Sequence, residues 1–307
     1  RFIDTERFTR VQTFWNCRPR CYETCMGFKP LFAALALVLI SGCATVATLP
    51  MNGLNSLAPN ATARFLFPSA GGTAEGYLVR PRGNGTYPLM VLLHGHSLVG
   101  IGARRVLPAA DAFASEVCYA GLAISLPGYG DTDVAAGPID EVTRQVVLDA
   151  IATVKQLPWV DAKRIYLYGF SRGAVVAAAM IGQTDGLKGA LLHSGAYDLP
   201  QLYQDTTSFW LRRLLNPDGD ANPKLKNLLT EAALWHTSTL ILHGEQDTLI
   251  PVSQALMLDE RLQSLGKPHR LVLFPDHGHR LPLAQVKDSA LQFLKDNGGS
   301  ACPLSAP

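Results

Sequence analysis

Ser171 stands between two glycines, in Gly169-Phe170-Ser171-Arg172-Gly173. A serine hydroxyl attacks a carbonyl only if a base takes its proton and a third group orients that base. G-x-S-x-G is the pattern of a nucleophile elbow. A strand there turns into a helix so sharply that the serine takes a positive φ, and side chains two residues to either side would collide with the neighbouring strand or helix. On ordinary residue usage, on the order of 0.1 such matches are expected by chance in a chain this long. The flanks supply the missing context. Ile165-Tyr166-Leu167-Tyr168 reads as a buried strand before the serine, and Ala174-Val175-Val176-Ala177-Ala178-Ala179-Met180 as a small-residue helix after it. Without them Ser171 would be an ordinary serine in a strand–helix turn.

In such a topology the partners follow in the order Ser, Asp or Glu, His. Leu242-His243-Gly244-Glu245-Gln246-Asp247 offers two acids. Asp247 is preferred because Leu249-Ile250-Pro251 opens a helix directly after it and leaves the carboxylate at the loop rim; the plainer role for it is a helix cap. Pro275-Asp276-His277-Gly278-His279 offers two bases, and His279 is preferred because Gly278 would let the loop approach the elbow. His94, His96, His193, His236, His243 and His269 read as loop or scaffold residues. The oxyanion formed at the attacked carbonyl needs two N–H donors, expected from the backbone of Arg172 and of His96. This chemistry needs no metal and no organic cofactor, and Cys17, Cys21 and Cys25, spaced C-x3-C-x3-C, do not match a zinc site.

The elements that must position these groups alternate along the chain. Residues 63–68 and 74–81 form a predicted hairpin. Strands follow at 88–93, 120–125, 165–168, 189–193, 239–243 and 269–274, with helices near 108–119, 139–156, 251–265 and 282–297. Strands alternating with helices of this length give an α/β architecture, a mostly parallel sheet covered on both faces, whose strand ends gather ligand chemistry at one edge. With 48% hydrophobic and 17% charged residues and no repeat, the chain is globular.

The front of the chain reads differently. Met26 is the first methionine, and Lys29-Pro30 is followed by ten apolar residues, Leu31 to Ile40, and then Ser41-Gly42-Cys43. That is a secretory signal peptide, too short to span a membrane, and Ile40-Ser41-Gly42-Cys43 resembles a bacterial lipobox in which the cysteine is lipidated. The expected organisation is an upstream extension at 1–25, a lipoprotein-type signal at 26–42, a polar tether at 43–61, the folded domain at 62–298 and a tail at 299–307. Location would be periplasmic or at the outer membrane, anchored through Cys43. Residues 1–42 carry six basic and three acidic side chains, so the remainder has a net charge of −1 and no basic stripe for nucleic acid. Cys118 reads as part of a core helix; with Cys43 lipidated, Cys118 and Cys302 are the two cysteines left that could pair, and the sequence leaves that disulfide open.

Taken together, Tyr168-Gly169-Phe170-Ser171-Arg172-Gly173, the preceding Val160-Asp161-Ala162-Lys163-Arg164-Ile165, the segment 242–247 and the segment 275–279 resemble the catalytic domain of the prolyl oligopeptidase family within the α/β-hydrolase superfamily. The resemblance implies the α/β-hydrolase fold over residues 62–298, with a small helical cap inserted at about 197–236. The family's His-Gly-Gly-Pro is here His94-Gly95-His96-Ser97, and no propeller is visible ahead of the domain. These departures favour a small-molecule ester over a peptide, as in dienelactone-hydrolase-like relatives. The substrate pocket is expected to involve Tyr129, Tyr197, Phe209 and Trp210. The competing readings are a serine peptidase acting on short peptides and an inactive envelope-binding lipoprotein; the complete Ser171, Asp247, His279 set argues against the latter.

Overall fold

The computed structural model describes residues 46–135, 140–184, 186–221, 223–299 and 302. Its strands are β1 (Ala47–Thr48), β2 (Thr62–Ser69), β3 (Gly72–Val79), β4 (Tyr87–Leu93), β5 (Ala120–Ile124), β6 (Val160–Phe170), β7 (Leu187–His193), β8 (Thr239–Gly244) and β9 (His269–Phe274). Among the described residues they lie in one sheet in the order β1-β2-β3-β5-β4-β6-β7-β8-β9. Pairing is antiparallel at β2–β3 and β3–β5 and parallel elsewhere. The helices are α1 (Leu107–Val117), α2 (Glu141–Val154), α3 (Arg172–Ile181), α4 (Leu199–Asp205), α5 (Phe209–Leu215), α6 (Leu228–Glu231), α7 (Ser253–Ser264) and α8 (Leu283–Asp296). This is the expected α/β-hydrolase fold, with α4, α5 and α6 forming the insertion between β7 and β8.

The continuous apolar runs of the central strands have a simple cause, because side chains of period two feed two cores. In β4, Leu89, Val91 and Leu93 join the core under α2, α3 and α7, while Met90 and Leu92 join the one under α1 and α8. In β6, Ile165 and Leu167 divide from Tyr166 and Tyr168 in the same way.

Two expectations are corrected. Residues 46–61 are not a stand-off tether. β1 pairs in parallel with β2, Leu49 N–H donates to Arg64 O at 2.8 Å, and Leu54 is 0% exposed in the main core with Leu57 beside it. The packed chain therefore begins by residue 46, not near 62. Cys118 is not inside a helix; it caps α1 in the left-handed conformation at φ 56° and is disulfide-bonded to Cys302, 184 residues away. That bond ties the start of the expected tail to the end of α1. Closing so long a loop removes roughly 5 kcal/mol of unfolded-chain entropy in the loop-closure picture. The extension at 1–25, the signal at 26–42 and Cys43 lie outside the described residues.

Two buried histidines make fastening contacts at the carboxyl edge of the sheet, one between loops and one between strands. His94, just past β4, accepts Leu126 N–H at Nε2 (3.0 Å) and donates from Nδ1 to Gly95 O (2.8 Å), which joins the loops after β4 and β5. His193, the last residue of β7, takes the Tyr168 hydroxyl on Nδ1 at 2.8 Å. Burial pushes His94 down to about 4 and His193 to about 3. Below the ordinary histidine pKa the unfolded chain takes up protons that the native state refuses, so stability falls with pH from about 6.5 towards those values, before carboxylates contribute. Urea unfolding at pH 5 against pH 7 should show a loss of about 2 kcal/mol for each imidazole. His94→Gln should remove about half of that pH dependence; an unchanged pH dependence in the variant would refute the account.

Candidate active site

β6 delivers Ser171 to the sheet edge with φ 54° and ψ −118°, a conformation that L residues avoid. Its glycine neighbours explain how the turn closes. A Cβ on Gly169 would overlap the backbone of Gly173 and Ala174, and one on Gly173 would overlap the Leu93 and His94 carbonyls of the adjacent strand end. Ser171 N–H donates to His193 O at 2.8 Å, which fixes the elbow against β7.

The other two expected residues meet it. His279 Nδ1 donates to Asp247 Oδ2 at 2.7 Å, which leaves Nε2 to accept the Ser171 hydroxyl at 2.9 Å. Asp247 is buried, and its other oxygen accepts the N–H groups of Leu249 and Ile250, both at 2.9 Å. Burial alone would raise the Asp247 carboxyl; hydrogen bonding from His243, His279 and Ile250 N–H outweighs it and holds the group well below the usual carboxylate range. These bonds favour the ionised carboxylate, and by accepting from Nδ1 it fixes the tautomer of His279. The rival Glu245 is exposed, and His277 turns to Phe274 with its ring at 6.2 Å. The close approach of the two loops is made at Gly244, where a Cβ would overlap the His277 and Gly278 carbonyls, and not at Gly278, where it would meet only ordinary contacts. Gln246 N–H completes the junction by donating to His277 O at 2.9 Å.

Arg172 is the first residue of α3, and His96 lies in the loop after β4; both line a cavity of about 240 Å³ with Ser171 and His279. Tyr129 is not a wall of that cavity. Its hydroxyl accepts Arg172 Nη1–H at 2.8 Å and donates to His96 Nδ1, so one buried phenol braces both expected oxyanion residues. Burial, with the Arg172 and Arg105 charges, keeps His96 below its ordinary pKa and suited to accept that bond.

Of the remaining pocket candidates, Trp210 lines the cavity mouth at 71% exposure, with Leu199, Leu202, Leu211, Leu214 and Leu215. Phe209 does not line it; it is 70% exposed and meets Trp210 edge-on. Tyr197 is fully buried at the root of the insertion, in the core. Phe170, which sequence reasoning passed over, lies between two imidazoles, its ring 4.7 Å from His193 and 5.4 Å from His279. Its position between the elbow glycines hid that role, since any side chain satisfies the motif there. Among the described residues no group of three or more His, Cys, Asp or Glu side chains could hold a metal ion.

A family model described as the prolyl oligopeptidase family matches residues 140–297, which include the whole Ser171, Asp247, His279 constellation. An uncharacterized peptidase of Bacillus subtilis is 30% identical over 67% of this chain and 33% of its own length, and the acylamino-acid-releasing enzyme of Mus musculus is 26% identical over 66% and 30%. The chain thus spans about a third of these relatives. Among solved structures, acylaminoacyl peptidase of Pyrococcus horikoshii superposes with a TM-score of 0.65 at 19% identity over 82% of this chain and 44% of that one. An esterase of Pyrococcus furiosus superposes at 0.60 and 18% over 81% and 94%. The matched segment, more than half the sequence, makes this chain a member of the prolyl oligopeptidase family with an α/β-hydrolase fold.

Proposed function

We propose that the protein is a serine hydrolase that cleaves small carboxylic esters through an acyl-enzyme on Ser171. The observation that carries this is the double hydrogen bond of His279, 2.7 Å to Asp247 and 2.9 Å to Ser171. In this reading His279 takes the serine proton as Oγ attacks, then passes it to the departing alcohol oxygen. Asp247 stabilises the imidazolium, and water frees the acyl group by the same route. The N–H groups of Arg172 and His96 hold the oxyanion, a contribution typically worth about 10²–10³ in kcat for each donor. The lining of the cavity, among the described residues, contains no carboxylate for a free ammonium, which disfavours peptides held by an unblocked amino terminus. The peptidase reading has the names of the relatives in its favour.

Export belongs to the same proposal. The disulfide supports an oxidising compartment, and Cys43 would carry the lipid. Cys43→Ala should move the expressed protein from the membrane fraction to the soluble one; retention in the membrane would refute lipid anchoring at this residue.

A fluorophosphonate probe should label the wild-type protein and not Ser171→Ala, and labelling that persists in the variant would remove the central claim. Asp247→Asn should lower kcat on p-nitrophenyl esters by about 10⁴, because the histidine loses its tautomer. Turnover of peptide amides in preference to those esters would select the peptidase reading instead. Leu211→Ala and Leu214→Ala should shift acyl-chain preference while sparing kcat on acetate; equal losses on every chain length would refute an acyl pocket under α5.

A further inference from the structure

The active-site cavity has two chemically different halves. On one side α4 and α5 supply leucines and Trp210. On the other stand Arg105, Phe170 and Arg280, and these three also line a second, open trough that leads away from Ser171 beneath α1. Neither lining holds an aspartate or glutamate among the described residues. The arginines of the ion pairs found among those residues are Arg64, Arg144 and Arg164, each with an aspartate or glutamate. Arg105 and Arg280 have no such partner among the described residues. Arg105 and Arg280 line both concave surfaces, and Arg172 the first of them, with no aspartate or glutamate in either lining; arginines so placed suit an anion, because their planar donors match a carboxylate or phosphate.

The backbone that carries Arg105 is fixed by its neighbours. Arg105 ends the 3₁₀ turn Ala103–Arg105 directly before α1; its N–H donates to Gly102 O at 3.0 Å, and Ala103 N–H donates to Ser125 Oγ at 2.9 Å. Its charge contributes to the lowered pKa of both His94 and His96, as expected of a guanidinium on the cavity side. Arg280 follows His279 in the chain. His279 is the group that must reach the leaving oxygen, so the arginine next to it marks the leaving-group side, and the leucine half is left for the acyl chain.

We propose that Arg105 and Arg280 bind an oxyanion on the alcohol portion of the substrate, so that the natural ester joins an apolar acyl group to a carboxylate- or phosphate-bearing alcohol. This rests on the ester-hydrolase reading above. In the reaction Ser171 Oγ bonds to the acyl carbon as the carbon–oxygen bond to the alcohol breaks. The alcohol oxygen takes the proton from His279 Nε2, and water then releases the acid, giving a carboxylic acid and an anionic alcohol. The oxyanion stays paired with the arginines throughout, so its effect falls on substrate binding and hence on KM.

The test compares three chromogenic hexanoates: of 4-nitrophenol, of 4-hydroxy-3-nitrobenzoate, and of a nitrocatechol monophosphate. Each rate is normalised to hydroxide hydrolysis of the same ester. At least one anionic ester should exceed the neutral one in kcat/KM by about tenfold, through KM, and which of the two leads distinguishes carboxylate from phosphate. The preference should shrink with added salt. It should fall towards one in Arg105→Gln/Arg280→Gln, and reverse in Arg280→Glu. Because the ratio is taken within each protein, partial misfolding of a variant does not move it. Neutral turnover equal to or faster than both anionic esters, or a preference unchanged in the double variant, overturns the proposal while leaving the hydrolase reading intact. Absence of turnover on all three, with no Ser171-dependent labelling, removes the hydrolase reading as well.

Discussion

The positive φ at Ser171 is the constraint around which the rest of the site is built. An L residue in that region costs of order 1–3 kcal/mol and persists only where its surroundings over-determine it. Here they do. β6 is paired on both sides, by β4 and β7, and from Gly173 onward the α3 residues behind the serine are buried. The serine's own N–H is held by His193 O. Gly169 and Gly173 then let strand and helix approach to a distance that any side chain would forbid. The strain has a function in placement, since it lifts Oγ clear of the sheet into the cavity.

That placement decides which other loops can matter. β8 and β9 run parallel beyond β7, so their carboxyl ends open on the same edge as the elbow. Gly244 brings the two following loops into backbone contact, and Asp247, anchored by Leu249 and Ile250 N–H, has little freedom except to face His279. On the opposite side Glu75 organises the approach. This buried carboxylate on β3 accepts the Ser125 hydroxyl at 2.6 Å and Arg64 Nε–H at 2.7 Å, while Thr132 Oγ1 accepts Glu75 N–H at 3.0 Å. The loop carrying Tyr129 is thereby fixed, and with it the brace on His96 and Arg172.

The meeting of Ser171, His279 and Asp247 and the sheet that brings them together are legible because each leaves a local signature: a motif whose glycines have a steric reason, strands apolar on both faces, and an aspartate and a histidine just past strand ends. What escaped is tertiary in origin. Leu54 and Leu57 in a segment rich in Asn, Ser and Pro look like a tether until a core accepts them. Cys118 and Cys302, 184 residues apart, carry no spacing that reveals their pairing. In α5 the run Phe209-Trp210-Leu211 is apolar at every position, so no period tells which side chain turns inward; the structure buries Leu211 and exposes the two aromatics. Gly278 neighbours His279 and so draws the expectation of a close approach, whereas the contact that demands a glycine falls at Gly244, the last residue of β8.

The roof of the cavity and the orientation of the base are mechanically linked. The insertion is stapled at its root, where Leu228 N–H donates to Tyr197 O at 2.8 Å and Asn227 Nδ2–H to Asp198 Oδ2 at 2.8 Å. That root is gripped from α7 by Gln254, 2% exposed, whose Oε1 accepts the N–H groups of Tyr197 and Asp198 at 2.8 and 2.9 Å. α7 begins only a few residues beyond Ile250, whose N–H holds Asp247, whose carbonyl accepts from His243 and whose side chain lines the cavity. A buried amide with its hydrogen bonds made is costly to disturb. Remodelling of the apolar half by substitution is therefore transmitted through Ile250 to Asp247 unless it is confined to α5. The cationic half meets the same node from the other side, since Arg280 directly follows His279, whose Nδ1 donates to Asp247, whereas Arg105 is carried by the separate turn before α1.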